Sequence, residues 1–153
     1  NGDHSTVGAV AISYLHQGFP REEMAALYVA ADVMLVTALR DGMNLVAKEY
    51  VAARADNRGV LVLSEFAGAS DELTTALLIN PHDIEGLKDA IMQAIDMPEA
   101  EQGRRMRALR RRVFKHDIEA WSRTFLAALQ HARAHNQAHI RHPHDETNES
   151  HDA

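Results

Sequence analysis

Three short apolar runs alternate with helical segments, and this alternation constrains the fold more than any other feature of the 153-residue chain. The runs cover residues 32–37 ("DVMLVT"), 60–64 ("VLVLS") and 77–80 ("LLIN"). None alternates strictly between apolar and polar residues, which is typical of parallel strands buried on both faces. Helical patterns between such strands indicate βαβ units with right-handed crossovers. We therefore predict an α/β fold with a parallel sheet and helices on both faces.

Helical periodicity and end signals place the remaining elements. Pro20 is suited to a helix start, and Glu22 and Glu23 follow where the helix dipole favours acids. Further helices are predicted at 43–55, 71–76, 83–95, 99–115 and 117–135, and a short strand at 11–15. The predicted core stripes are Met24, Leu27, Tyr28 and Ala31; Ile84, Leu87, Ile91 and Ile95; Met106, Leu109 and Val113; and Ile118, Trp121, Phe125 and Leu129.

Composition excludes several classes of protein. The net charge of −6 does not favour nucleic-acid or anionic-membrane binding, and no apolar run is long enough to span a bilayer. The chain has no cysteine, so disulfides and thiolate metal sites are excluded and a cytoplasmic location is expected. No G-x-G-x-x-G follows a predicted strand, which disfavours a dehydrogenase cofactor domain. Residues 136–153 are polar and are predicted to be a disordered tail.

The segment "TALRDGMNLVAKEY" (37–50) follows the first predicted strand and contains the candidate site. Ligands of open α/β sheets bind beyond the carboxyl ends of the strands. A helix beginning near Met43 would present free backbone N–H groups from Gly42 to Leu45, which suits a phosphate. Gly42 lets a ligand approach the backbone. Asp41 and Glu49 are spaced to share a helical face, where Glu49 could accept hydrogen bonds from paired ribose hydroxyls.

A simpler interpretation of these charged residues stays open at this point. Asp41 could only cap the helix, and Lys48 and Glu49 could be solvated surface charges. Spacing alone does not separate the two interpretations, because short motifs often match by accident.

Longer strings resemble a known enzyme family. "ADVMLVTALRDGMNLVAKEYVAAR", "GVLVLSEFAGASDEL" and "INPHDIEGL" resemble the trehalose-6-phosphate synthases, over Tyr14 to about Leu129. The resemblance implies a retaining glycosyltransferase of the GT-B type, in which two Rossmann-like domains face each other. This chain resembles the C-terminal, donor-binding part: residues 1–135 with a closing helix at 117–135. Ala38 departs from the family, which usually has proline there.

The resemblance also implies a role for each matching residue. Asp41 is the expected catalytic residue and contacts hydroxyls of the transferred glucose. Donor binding is expected from Gly42, Met43, Asn44 and Leu45, which would line the sugar and diphosphate, and from Glu49, which would bind the ribose. From the same resemblance, no protein nucleophile and no cofactor are expected. The sequence has no D-x-D motif, and no metal ligand is predicted.

The expected partners follow from the same resemblance. They are a nucleotide-sugar donor, with UDP-glucose favoured, and glucose 6-phosphate, held by an N-terminal domain that this chain lacks. A homo-oligomer is compatible with the sequence, which leaves the oligomeric state open. We expect the chain alone to be inactive, because the acceptor pocket and a basic pair on the diphosphate belong to upstream residues. The alternatives are another retaining nucleotide-sugar transferase and a catalytically silent module of the same fold.

Three other segments have structural interpretations that we favour. "SEFAGAS" (64–70) could border a ligand, but its small residues more often permit close packing. "RRMRALRRRVFK" (104–115) could bind a polyanion, but its arginines are expected on the solvated side of a helix. The histidines at 131, 135 and 139 recur every four residues, a spacing that can bind zinc, yet no acidic cluster accompanies them.

Overall fold

The computed structural model describes residues 11–115 and 118–140. Its strands are β1 (Val33–Val36), β2 (Val60–Ser64) and β3 (Leu77–Ile79). Its helices are α1 (Arg21–Ala30), α2 (Leu45–Ala53), α3 (Ile84–Ile95), α4 (Glu99–Lys115) and α5 (Ile118–Ile140), with a short 3-10 helix at Gly68–Asp71. The three strands form a parallel sheet in the order β1-β2-β3, with Val33 opposite Val60 and Val62 opposite Leu77.

The central strand β2 is buried on both faces, which explains its unbroken apolar run. Leu61 and Leu63 pack with residues of α1, α2 and α4 in one cluster. Val60 and Val62 pack with β3 and α3 in a second cluster on the opposite face. Helices therefore cover both faces of a parallel sheet, and the predicted fold class is confirmed.

Most of the predicted elements are confirmed, including the three strands and the helix that Pro20 begins. The predicted strand at 11–15 is wrong. No strand forms there, and Ile12, Tyr14 and Leu15 are exposed, so the segment lacks the packed face that would stabilise a strand.

The predicted helix at 71–76 is also wrong, because the chain forms turns there after the 3-10 helix. Thr74 and Thr75 are β-branched and weaken a helix. In addition, the carbonyl oxygen of Thr75 accepts a hydrogen bond from the side chain of Arg105 on α4 at 3.1 Å. This carbonyl is therefore paired with another element of the fold.

Three predicted core stripes differ from the structure. On α1, Leu27 is exposed, whereas Tyr28 is buried as predicted. On α3, Ala90 and Ala94 are buried against the sheet while Ile84 and Ile95 are exposed, since small side chains allow the helix to approach the strands closely. On α5, the side chains predicted to form a core stripe are exposed: Ile118, Trp121, Phe125 and Leu129.

Helix α5 also extends beyond its predicted end. It continues to Ile140, so residues 136–140, which we assigned to the tail, are helical. The rest of the predicted tail, 141–153, lies outside the described residues.

Candidate functional site at the corner after β1

The corner after β1 is held against the loop after β2 by a single parallel bridge between Asp41 and Ala67. The N–H of Asp41 donates to the carbonyl oxygen of Phe66 at 3.1 Å, and the N–H of Gly68 donates to that of Asp41 at 2.9 Å. Deeper in the sheet, the buried Ser64 hydroxyl donates to the carbonyl oxygen of Ala38 at 2.7 Å. The two strand ends therefore present one rigid edge, as predicted for a ligand site of this fold.

The Asp41 carboxylate organises the backbone that follows it. Its Oδ1 accepts the N–H groups of Met43 and Asn44 at 3.0 Å each, and its Oδ2 accepts Asn44 Nδ2 at 3.0 Å. The hydrogen bond from the Met43 N–H, followed by that from the Asn44 side chain, lowers the pKa of Asp41 below its ordinary value. Asp41 is therefore ionised at neutral pH and fixed in orientation.

Helix α2 is capped by Asn44 and not by Asp41. Asn44 has φ 68°, in the left-handed region that asparagine tolerates, and its side chain accepts the N–H of Ala47 at 2.9 Å. The helix consequently begins at Leu45, two residues later than expected. Asp41 lies outside the helix, so the helical spacing that placed Asp41 and Glu49 on one face does not apply.

The set of free donors at this helix start differs from the prediction. The N–H groups of Met43 and Asn44, which we expected to be free, are held by Asp41. In the part of the chain that the structure describes, the N–H groups of Gly42 and Leu45 have no acceptor, and neither does that of Val46. The N–H group of Val46 was not predicted as a free donor, because which N–H groups are free depends on where the helix begins.

Gly42 and Gly68 face each other across the corner for different reasons. A Cβ on Gly68 would lie 2.3 Å from the carbonyl oxygen of Gly42, so the close approach of the two loops requires this glycine. A Cβ on Gly42 would meet nothing within 4 Å. Packing therefore explains Gly68, as the structural interpretation of "SEFAGAS" predicted, but it does not explain Gly42.

Glu49 lies on α2 with its side chain exposed. Its Oε2 accepts a hydrogen bond from the hydroxyl of Tyr28 on α1 at 2.9 Å. No group in the described residues donates a hydrogen bond to Oε1, so this oxygen remains available to a ligand. Tyr28 was predicted only as a core residue; its polar hydroxyl was the signal that it also needs a partner.

Two clefts adjoin the corner, and Gly42 and Gly68 line both. The larger has a volume of about 540 Å³, a size suited to a ligand. The smaller has a volume of about 230 Å³ and includes Asp41 and Arg40. The other residues that line the larger cleft are Met43, Leu45, Lys48, Ala69, Glu72, Ile118, Ala120, Trp121 and Thr124.

Lys48 is not the solvated charge that the simpler interpretation proposed. Its Nζ contacts both carboxylate oxygens of Glu72, at 2.9 and 3.0 Å, and the Lys48 side chain is only 20% exposed. This ion pair joins α2 to the segment that follows the 3-10 helix and forms part of the wall of the larger cleft.

The basic helix α4 makes more tertiary hydrogen bonds than its sequence suggested. Arg105 donates to the Thr75 carbonyl, and Arg110 donates to two carbonyl oxygens at the end of α2, at 3.0 and 2.7 Å. These two arginines are therefore not simply solvated. Among the described residues, no group of three histidine, cysteine or acidic side chains is arranged to hold a metal ion, and each helix is too short or too polar to span a bilayer.

Comparison with known proteins identifies the family. The profile of glycosyltransferase family 20 matches residues 1–131. The chain belongs to glycosyltransferase family 20. Its predicted resemblance to the trehalose-6-phosphate synthases is confirmed, and its fold is that of their C-terminal portion.

Individual family 20 proteins are similar over most of this chain. It is 60% identical over 129 residues to the trehalose-6-phosphate synthase of Mycolicibacterium smegmatis, covering 84% of this chain and 26% of that relative. A structure from E. coli bound with UDP-2-fluoro glucose is 45% identical with a TM-score of 0.80, covering 84% of this chain and 29% of that one.

A Burkholderia xenovorans synthase in complex with glucose-6-phosphate is 46% identical with a TM-score of 0.80, covering 85% of this chain and 29% of that one. The chain thus spans less than a third of the length of these relatives.

Proposed function

We propose that this family 20 chain is the donor-binding part of a retaining glycosyltransferase. The reaction moves glucose from UDP-glucose to glucose 6-phosphate and gives trehalose 6-phosphate. The proposal rests on the arrangement of the corner at the ends of two parallel strands. Unpaired N–H groups, a fixed carboxylate and a glycine with open space around it lie together there.

The diphosphate of the donor fits the start of α2. Negative charge develops on the leaving diphosphate as the bond to glucose breaks. The N–H groups of Leu45 and Val46 have no acceptor in the described chain and lie at the positive end of the helix dipole. Because Asp41 already holds the preceding turn, these donors need little rearrangement when charge develops, which lowers the barrier.

Asp41 retains limited capacity for the sugar. Each carboxylate oxygen accepts about two hydrogen bonds, and Oδ1 already accepts two while Oδ2 accepts one. One acceptor position on Oδ2 is left for a hydroxyl of the transferred glucose. Asp41 would therefore serve both as the organiser of the corner and as a contact for the sugar.

Glu49 is assigned to the ribose of the donor. Its Oε1 is unpaired in the described residues, and a carboxylate is suited to accept hydrogen bonds from adjacent hydroxyls. The E. coli structure bound with UDP-2-fluoro glucose and the Burkholderia structure with glucose-6-phosphate support this choice of donor and acceptor. Retention then follows from attack by the acceptor hydroxyl on the face that the diphosphate leaves.

A chimera tests the proposed function. In it, this chain replaces the matching segment of the Mycolicibacterium smegmatis relative, and trehalose 6-phosphate is measured with UDP-glucose and glucose 6-phosphate. We expect sustained product formation. In the chimera, Glu49→Ala should weaken UDP binding by about 10- to 100-fold, since a hydrogen bond to a charged group contributes roughly 1.5–3 kcal/mol.

Two outcomes would contradict the proposal in different ways. A folded chimera that binds UDP-glucose but forms no product would favour the silent-module alternative. A chimera that uses a different nucleotide sugar would favour another retaining transferase.

A further inference from the structure

We propose that Tyr28 is a positioning residue for the nucleotide donor: its buried hydroxyl orients the Glu49 carboxylate so that one oxygen faces the ribose. The inference rests on the proposed function, since it assumes that Glu49 binds the ribose. Helix α1 lines neither of the clefts beside the corner, yet according to this inference it contributes to donor affinity through Tyr28.

Tyr28 has a rigid setting. Its side chain is 6% exposed and belongs to the cluster that packs α1 and α2 against the sheet. Its ring and the fully buried Tyr50 ring form a T-shaped pair, with centroids 6.4 Å apart and an interplanar angle of 79°. The hydroxyl is therefore presented from a fixed point, and it donates to Glu49 Oε2 at 2.9 Å.

Glu49 needs such a partner because its side chain is otherwise exposed and free to rotate. A long acidic side chain on a helix surface populates several rotamers, and ordering it on ligand binding costs free energy. The hydrogen bond to Oε2 selects one orientation and leaves Oε1 unpaired. A pair of ribose hydroxyls then meets a carboxylate that is already oriented.

The protonation state of Tyr28 is consistent with this role. Burial, followed by the hydrogen bond and charge of Glu49, raises the pKa of Tyr28 to about 12. The hydroxyl consequently keeps its proton, and remains a donor to Glu49, throughout the neutral range.

A purely structural role for the same hydrogen bond would satisfy a buried hydroxyl and affect stability alone. The test must separate this from positioning. Tyr50→Phe is the matched control, because Tyr50 is buried in the same cluster and its hydroxyl donates to a backbone carbonyl, that of Ala31, at 3.3 Å. Both changes to phenylalanine keep the ring and remove one hydroxyl.

Calorimetric titration of the 153-residue chain with UDP and with 2′-deoxy-UDP would measure the effect, with melting temperatures recorded for each variant. Loss of the residue that orients a metal-binding side chain typically weakens metal binding by about 10- to 100-fold. By analogy, we expect Tyr28→Phe to weaken UDP binding about tenfold, at the lower end of that range. The same variant should bind 2′-deoxy-UDP nearly as the unchanged chain does. Tyr50→Phe should leave both affinities unchanged, and Tyr28→Phe should add no further loss to Glu49→Ala.

The results separate failure of the inference from failure of the proposed function. If Glu49→Ala weakens UDP binding and Tyr28→Phe does not, the positioning role is overturned while the ribose assignment stands. An equal loss for UDP and 2′-deoxy-UDP, or an equal loss in the Tyr50 control, would also overturn it. If the unchanged chain does not bind UDP, or Glu49→Ala binds it normally, the proposed donor site fails and this inference fails with it.

Discussion

At the scale of single residues, substitutions of the two glycines at the corner best separate an effect on stability from an effect on donor binding. Gly42→Ala adds a methyl group in open space. The free energy of unfolding should therefore stay the same or rise by about 0.4–1 kcal/mol. The same methyl group would stand where the diphosphate is proposed to bind. A clash of roughly 1–3 kcal/mol there would weaken UDP binding by about 5- to 150-fold.

Gly68→Ala is the matched control, because its new Cβ would meet the Gly42 carbonyl oxygen 2.3 Å away. We expect a loss of unfolding free energy of about 1–3 kcal/mol from this overpacking. Urea unfolding and UDP titration of both variants would check the pair. Normal UDP affinity in Gly42→Ala would show that no ligand approaches the backbone at this glycine.

The same corner shows what could and could not be predicted from the sequence at this scale. The segment after the first strand was predicted as the candidate site, because ligands of open α/β sheets bind beyond the carboxyl ends of the strands. The state of each N–H group was not, because it depends on Asn44 adopting a left-handed conformation and delaying the helix by two residues. Spacing describes a regular helix and contains no information on such a local departure.

At the scale of elements, the buried Arg54 joins helix α1 to the end of α2. Its guanidinium donates to the carbonyl oxygens of Val29 and Ala31 near the end of α1, and it pairs with Asp56 at 3.1 Å. The side chain is 3% exposed. Arg54→Ala would leave the carbonyl oxygens of Val29 and Ala31 without their donor, so we expect a loss of about 1–3 kcal/mol in unfolding free energy.

Arg112→Ala is the control for Arg54→Ala, because Arg112 is exposed on α4 and its change should stay within about 0.5 kcal/mol. Denaturant midpoints of both variants would provide the measurement. Similar midpoints for the two variants would contradict the bridging role of Arg54.

The elements themselves were largely predictable, and the errors share a cause. Strands were predicted correctly where an apolar run is buried on both faces, as in β2. The errors at 71–76 and on α3 arise from tertiary contacts: Arg105 binds the Thr75 carbonyl, and Ala90 and Ala94 pack closely on the sheet. Periodicity predicts which residues are buried from their hydrophobicity alone. In the folded chain, burial also depends on the size of a side chain and on its fit to the opposing surface.

At the scale of the whole molecule, the chain combines a well-packed sheet with several exposed apolar surfaces. In the described residues, β1 pairs only with β2, and Leu35 on this strand is 42% exposed. On α5, Trp121 and Phe125 stack on each other while remaining about half exposed. Large exposed apolar surfaces commonly mark contacts with other protein segments. The relatives, of which this chain spans 28% or less, contain residues that could provide such contacts.

The proposed reaction needs such an additional segment, so we predict that the 153-residue chain alone forms no trehalose 6-phosphate. The corner presents groups for the donor, but the described residues form one three-stranded unit, with no second domain to hold the acceptor opposite. Holding two reactants in place can contribute about 7–11 kcal/mol to lowering a barrier. At about 1.4 kcal/mol per tenfold, its absence would slow the reaction by roughly five to eight powers of ten. UDP release with UDP-glucose and glucose 6-phosphate would be followed for the chain and, as the positive control, for the chimera. Sustained release that requires glucose 6-phosphate and scales with the concentration of the isolated chain would show that these residues also bind and position the acceptor.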